Sequence, residues 1–222
     1  MSEWWTYRPE DFLLFSETVY WRLFELHNEA FWPAALIALP AAAWVLHRLL
    51  APRPGTARGI GFLLAAAWCF VAWAYLWNRY AAVNWAVVYV IPAFLAEAAL
   101  LIGIGLGGWL RLGPERRLHA RIGISLFAYA LLLHPLLPLL GDRSIRTAEI
   151  LGLAPDPNAI ATLGVIAASR GAGRWVLLPV PALWCLVSWL TLRTMGAWEA
   201  WIPLAAFVLA LAAVATSPRR SR

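Results

Sequence analysis

The 222-residue chain contains no lysine, and all 18 of its basic residues are arginine. Without a lysine amine no Schiff base can form, which excludes a retinal protein. Cysteine is almost as scarce: Cys69 and Cys185 each lie inside an apolar block, where a thiol behaves as a small hydrophobe. Neither a disulfide framework nor a metal-ligand spacing follows from two such residues. Charged residues make up 14% of the chain against 62% hydrophobic, and mean hydropathy is +0.67. That is far from the mixture of a soluble domain. The opening MSEWWTYRPED lacks the basic-then-apolar pattern of a cleaved signal, so the first hydrophobic helix is expected to stay as an anchor. Nucleophile elbow, phosphate loop and paired-carboxylate metal motif are all missing, so no catalytic residue, metal or cofactor is expected.

What the chain does have is apolar sequence in long blocks. A bilayer core of roughly 30 Å takes about 20 apolar residues per helix, and several blocks reach that length. The expectation is an all-α polytopic transmembrane helical bundle with about seven spans: 31–50, 60–80, 85–110, 122–140, a short 158–169, 175–194 and 198–216. Pro155 and Pro157 prevent the fifth from extending backward as a regular helix, so it either stops halfway or relies on local thinning. Ahead of these, DFLLFSETVYWRLFELHNE places Phe12, Phe15, Val19, Leu23 and Leu26 on one stripe, with Glu17, Arg22, Glu25 and Glu29 largely elsewhere. This pattern predicts an N-terminal amphipathic interfacial helix. The chain thus divides into an interfacial segment 1–30, one membrane domain 31–216 and a basic tail 217–222.

The net charge of +6 reports topology rather than a nucleic-acid partner. With seven spans, one side holds Arg48, Arg53, Arg58, Arg111, Arg116, Arg117, Arg121, Arg170, Arg174, Arg219, Arg220 and Arg222. The other holds Arg8, Arg22, Arg79, Arg143, Arg146 and Arg193. Cytoplasmic loops collect positive charge, so the N-terminus is expected outside and the C-terminus in the cytoplasm, in a bacterial cytoplasmic (inner) membrane. The same count makes both WCFVAW, residues 68–73, and WCLVSW, 184–189, run from inside to outside. Either three helices are duplicated in parallel around a central fourth, or a chain with 15 tryptophans repeats a short phrase by chance.

Three stretches carry a resemblance: HNEAFWPA at 27–34, the run from Tyr75 through WNRYAAVNW to Trp85, and LAPDPNAIATLG at 153–164. Together they resemble an uncharacterised family of bacterial integral membrane proteins, one of the domains of unknown function. The shared pattern is Asn28 before Trp32 and Pro33, Tyr75 nine residues before Asn84, and a Pro155–Pro157 turn before Thr162–Gly164. Leu76 and Trp85 stand where relatives tend to have His and Pro. The resemblance implies a multi-span bacterial membrane protein and supplies no reaction.

A few polar residues need explaining. Glu97 lies halfway along the third span, where a carboxylate costs several kcal/mol and rarely faces lipid. It is either a proton or cation site, or a carboxyl that fastens helices together. His134, followed by Pro135 in the fourth span, is close enough in depth for contact with Glu97, or else is a packing residue. His47 and His134 differ too much in depth to be paired haem ligands. Tyr75, Arg79, Asn84, Asp156 and Asn158 form a candidate outer vestibule; Arg79, on the same side as Asp156 and Asn158, either joins an ion pair or polar vestibule there or snorkels to headgroup phosphates, and Asp156 or Asn158 is expected to cap the short helix. Trp77 and Tyr80 read as interfacial anchors. IGIGLGG at 102–108 reads as close helix packing.

Three function classes follow. They are a transporter or channel-like protein for a small solute or ion, a non-catalytic accessory or assembly subunit, and a membrane redox subunit or enzyme. A polar cavity holding Glu97 and His134 would favour the first, and a solid tryptophan-packed interior the second. The expected partners are the lipid bilayer and either further copies of the chain or another membrane-complex subunit, with no nucleic acid.

Overall fold

The computed structural model describes residues 15–113 and 117–216. They form eight α-helices joined by short 3-10 and π-helical turns, with two isolated β-bridges and no named strand among the described residues. The stretch 1–14 and the tail 217–222, including Phe12 and Arg8, lie outside the described residues.

Helix α1 runs from Glu17 to Leu50 without interruption. Ser16 caps it by accepting a hydrogen bond from the Val19 amide at 3.4 Å, Glu17 occupies the positive end of the helix dipole, and His47 and Arg48 occupy the negative end. The interfacial segment and the first span expected from sequence are therefore one helix, with no break at residue 30. Tyr20, Trp21, Leu23, Phe24 and His27 of this helix are buried, whereas of the expected stripe Phe15 and Leu23 are buried, Leu26 is half-buried and Val19 is exposed, so the face that packs on protein only partly coincides with the stripe.

Among the described residues, five helical stretches are long and apolar enough to cross a membrane: Glu17–Leu50, Thr56–Ala82, Trp85–Leu106, Gly173–Thr194 and Trp198–Thr216. The second combines α2 (Thr56–Phe70) with a π-helical continuation, Val71–Trp77, and the 3-10 turn Tyr80–Ala82. The third contains α3 (Ile91–Leu106), the fourth α6 (Gly173–Leu177) with α7 (Pro179–Thr194), and the last α8 (Trp201–Thr216). A sixth crossing forms if α4 (Leu118–Leu132) and the 3-10 helix His134–Leu140, bent by 59°, are one span. Pro135 and Pro138 account for that bend by removing backbone donors. Large apolar side chains cover the outside, among them Trp32, Ile37, Trp85, Tyr89 and Leu140. Such a surface suits hydrocarbon and headgroups as solvent.

Helix α5, Pro155–Ala168, is the axle of the fold, and all of its residues are buried. At 1.5 Å per residue it reaches only about 21 Å, too short to cross alone. Its entry is not helical: beyond the 3-10 turn Ile145–Thr147, the buried Glu149, Leu151, Leu153 and Ala154 lie in an irregular stretch of chain that leads into it. Irregular backbone at membrane depth is tolerated only where protein encloses it. Small residues let the neighbours close in. A Cβ on Gly123 of α4 would lie 2.4 Å from the Gly164 carbonyl, and one on Gly164 would lie 2.6 Å from the Gly123 carbonyl. The IGIGLGG stretch works the same way, with Gly105 set against Ala57 and Gly61 of α2.

The two ends of the bundle are distinct. At one, Arg111 and Arg170 exchange backbone hydrogen bonds at 2.8 Å, and the Gly173 amide donates to the Trp109 carbonyl. The start of α2 and the start of α6–α7 both meet the end of α3 here. At the other end, Tyr20 and Phe15 meet Tyr80, and Arg143 bonds Glu199 at 2.6 Å. The two tryptophan–cysteine phrases consequently run in the same direction along α2 and α7.

Candidate functional site

Around α5 the sequence delivers polar groups from three sides. The Trp184 indole of α7 donates to Asp156 Oδ1 at 2.8 Å, and the Ser188 hydroxyl donates to Asp156 Oδ2. On the opposite side the Trp68 indole of α2 donates to the Thr162 hydroxyl at 2.9 Å, which in turn donates to the Asn158 carbonyl. Phe94 of α3 lies between, with ring centroids 4.5 Å from Trp68 and 5.0 Å from Trp184. The first tryptophan of each repeated phrase thus holds one side of the same short helix.

Asp156 is in the first turn of α5, where the helix dipole favours a negative charge. It does not cap the helix, and neither does Asn158. The cap position is Ala154, which has no side chain to offer, because the carboxyl is turned toward α7. Glu149, in the segment that leads into α5, has its Oε2 3.8 Å from His134 Nε2, and both side chains are buried. A cavity of about 10 Å³, lined by Tyr20, Tyr75, Tyr80, Ser188 and Thr191, adjoins the Asp156 side.

A family model covers residues 17–222, starting at the first residue of α1. The chain belongs to DUF6064, a family of unknown function. No curated protein and no solved structure matches it.

Within the DUF6064 region the residues singled out from sequence separate into groups. Glu97 is fully buried in α3, one turn beyond Phe94, and neither carboxyl oxygen has a hydrogen-bond partner. It does not meet His134, whose carboxylate neighbour is Glu149 and whose ring packs edge-on to Tyr129 at 5.7 Å. The reason is depth and direction: the bend at His134 turns the imidazole toward the irregular strand entering α5. Tyr75 stacks on Phe24 at 4.7 Å, touches His27 edge-on at 5.4 Å and lines the small cavity that also borders Trp184 and Ser188. Arg79 is half-buried, and no ion pair joins it to Asp156 among the described residues. Asn84 caps the 3-10 helix Trp85–Tyr89 by accepting from the Ala86 amide at 3.1 Å. Asn28 donates to the carbonyls of Arg146 and Ala148 at 2.7 and 2.8 Å, tying α1 to the strand that leads into α5. Trp32 and Pro33 point away from the bundle, so the three do not form one site.

Sequence reasoning missed Glu149, Trp184, Ser188 and Thr162. It also missed the Arg143 guanidinium, which bonds Glu199 and sits 3.4 Å above the Trp21 ring. One signal was available. Both repeated phrases carry an indole donor, and LAPDPNAIATLG carries the buried acceptors an apolar bundle would otherwise lack.

Proposed function

We propose that this DUF6064 protein is a seven-crossing protein of the bacterial cytoplasmic membrane that takes up and passes protons or a small cation. Its centre is formed by Asp156, Glu149 and His134, with Glu97 as a further carboxyl. The observation that carries the reading is that Glu149 and His134 meet inside the protein, 3.8 Å apart and both buried, where an irregular segment leads into a half-helix whose first turn carries the buried Asp156. Ionisable groups at membrane depth are costly and mark ion or proton pathways. Broken helices that end inside a bundle supply such sites in transporters. Counting α5 with its irregular entry as one crossing brings the total to seven. Arginine placement then supports the N-terminus outside, with 1–30 at the outer face, 31–216 in the membrane and 217–222 in the cytoplasm.

Reconstitution into liposomes containing a pH-sensitive dye tests this. An imposed gradient is expected to relax faster than in protein-free vesicles, and Glu149→Gln is expected to remove most of that gain. Vesicles with folded protein that relax no faster than empty ones retire the proposal. The second reading, a non-catalytic accessory subunit, is favoured by the solid Trp68–Phe94–Trp184 packing at the axle. Native mass spectrometry of the protein purified from its membrane separates the two, because an accessory subunit arrives with its partner.

A further inference from the structure

A second feature of α5 belongs to neither the carboxylate centre nor the axle. Between α1, α2, α4 and the 151–153 segment lies a cavity of about 390 Å³. This falls within the range of small-molecule sites, about 300–1,000 Å³. Its walls are apolar, including Ala38, Ala42, Leu64, Ala67 and Phe127, and the one polar side chain among its lining residues is Asn158. Asn158 is fully buried, and neither its amide nitrogen nor its amide oxygen has a partner. The rim carries Ile37 of α1, 76% exposed, and the exposed Ala66 of α2, so the cavity opens sideways between two outward-facing helices.

The chemistry of the occupant follows from these walls. A buried water needs two to four polar partners, and here a single polar side chain is offered. An anionic head such as a carboxylate or phosphate would enter without a cation to meet it, because the lining carries no charge. An uncharged molecule with one carbonyl or hydroxyl at its leading end would satisfy the amide and leave its apolar remainder in the gap between α1 and α2. We propose that this cavity binds an uncharged carbonyl-bearing lipid of the prenylquinone type, head first, with the leading ring carbonyl accepting from the Asn158 amide nitrogen and the second carbonyl, beside the tail, left at the open gap between α1 and α2. The proposal rests on the membrane reading only for the direction of entry, and it needs no ion movement.

The test is binding of 2-decyl-1,4-benzoquinone to the whole protein in detergent, by equilibrium dialysis, with decylbenzene and stearate as comparison probes. The quinone is expected to bind more tightly than either. Asn158→Leu should weaken quinone binding about tenfold, the loss of roughly one hydrogen bond, and leave decylbenzene unchanged. Ala67→Phe, which fills the cavity and spares the amide, should abolish binding of both. Equal binding of quinone and decylbenzene, binding of stearate as tight as quinone, or an Asn158→Leu variant that binds quinone like the parent overturns the proposal. If Asn158→Leu does not fold, the probe comparison and Ala67→Phe decide. Since no gradient is involved, failure here leaves the liposome result standing, and the reverse is equally true.

Discussion

Asp156 and Asn158 are two residues apart on the same half-helix and have opposite surroundings. Asp156 faces α7 and has both oxygens occupied, one by an indole and one by a hydroxyl. Asn158 faces the α1–α2 gap with its amide unmatched amid alanine and leucine. A buried polar group costs free energy unless it is paired. One face of α5 is therefore complete without a ligand, and the other is completed by one. The comparison also divides the functional readings: charge is handled on the α7 and α4 side, and an uncharged ligand is received on the α1 and α2 side.

The bluntest way to break the comparison is to dislodge the helix that carries both residues. Gly123→Val places branched carbons where even a Cβ would lie 2.4 Å from the Gly164 carbonyl and the Ala168 amide. The obstruction is backbone and cannot rotate away, so a loss of at least about 3 kcal/mol is expected, the upper end for overpacking. Gly103→Ala, with nothing within 4 Å of the added carbon, is expected to be neutral or to stabilise by up to about 1 kcal/mol through helix propensity. Thermal unfolding in detergent, followed by tryptophan fluorescence, measures both. Equal behaviour of the two variants would deny α5 its role as a tightly seated axle.

A smaller effect tests the α7 face alone. Asp156→Ala leaves the Trp184 indole and the Ser188 hydroxyl as buried donors without an acceptor, an expected cost of about 1.5–3 kcal/mol by the same unfolding measurement. Smaller still are the two tryptophans. Side-chain hydrogen bonds inside membranes average about 0.6 kcal/mol and reach about 1.7. Trp68→Phe, which loses a bond to a neutral hydroxyl, is expected near the average. Trp184→Phe, which loses a bond to a carboxyl oxygen, is expected near the maximum. If Trp68→Phe costs more than Trp184→Phe, the ranking of the two faces is reversed.

How much of this was legible beforehand depends on periodicity. The apolar blocks at 60–80, 85–110, 175–194 and 198–216 match helical stretches to within a few residues, because length and composition alone define them. The amphipathic stripe ahead of residue 30 was legible as a stripe, but the same pattern serves a headgroup layer or a protein partner. Its described members divide, Phe15 and Leu23 buried and Val19 exposed, while Tyr20 and Phe24 beside them pack on protein, a division that only packing shows. Glu149 was invisible for a different reason. It lies in RTAEILGLAP, a stretch with no helical or strand period and Pro at its end, which reads as an outer loop. Its burial depends on neighbours that enclose an irregular segment, and no local pattern records them. The phrase WCFVAW and its echo were conspicuous, yet an indole's acceptor 94 residues away, Thr162, cannot be read from the phrase.

The smallest expected effect sharpens the comparison most, because it differs in sign. Asn158→Leu removes an amide that meets nothing in the protein and replaces it with an apolar side chain of similar size inside an apolar wall. Exchanging an unsatisfied buried polar group for a hydrocarbon one is nearly neutral or stabilising. The ligand-free protein is therefore expected to keep its unfolding temperature or gain from it, by up to about 1 kcal/mol. Asp156→Ala, on the same helix and two residues nearer its start, loses stability under the same conditions. Added 2-decyl-1,4-benzoquinone should then raise the unfolding temperature of the parent and not that of Asn158→Leu, since a ligand stabilises only the state that binds it. A destabilised Asn158→Leu in ligand-free detergent would mean that the amide has a partner within the fold, and the two faces of α5 would no longer differ in kind.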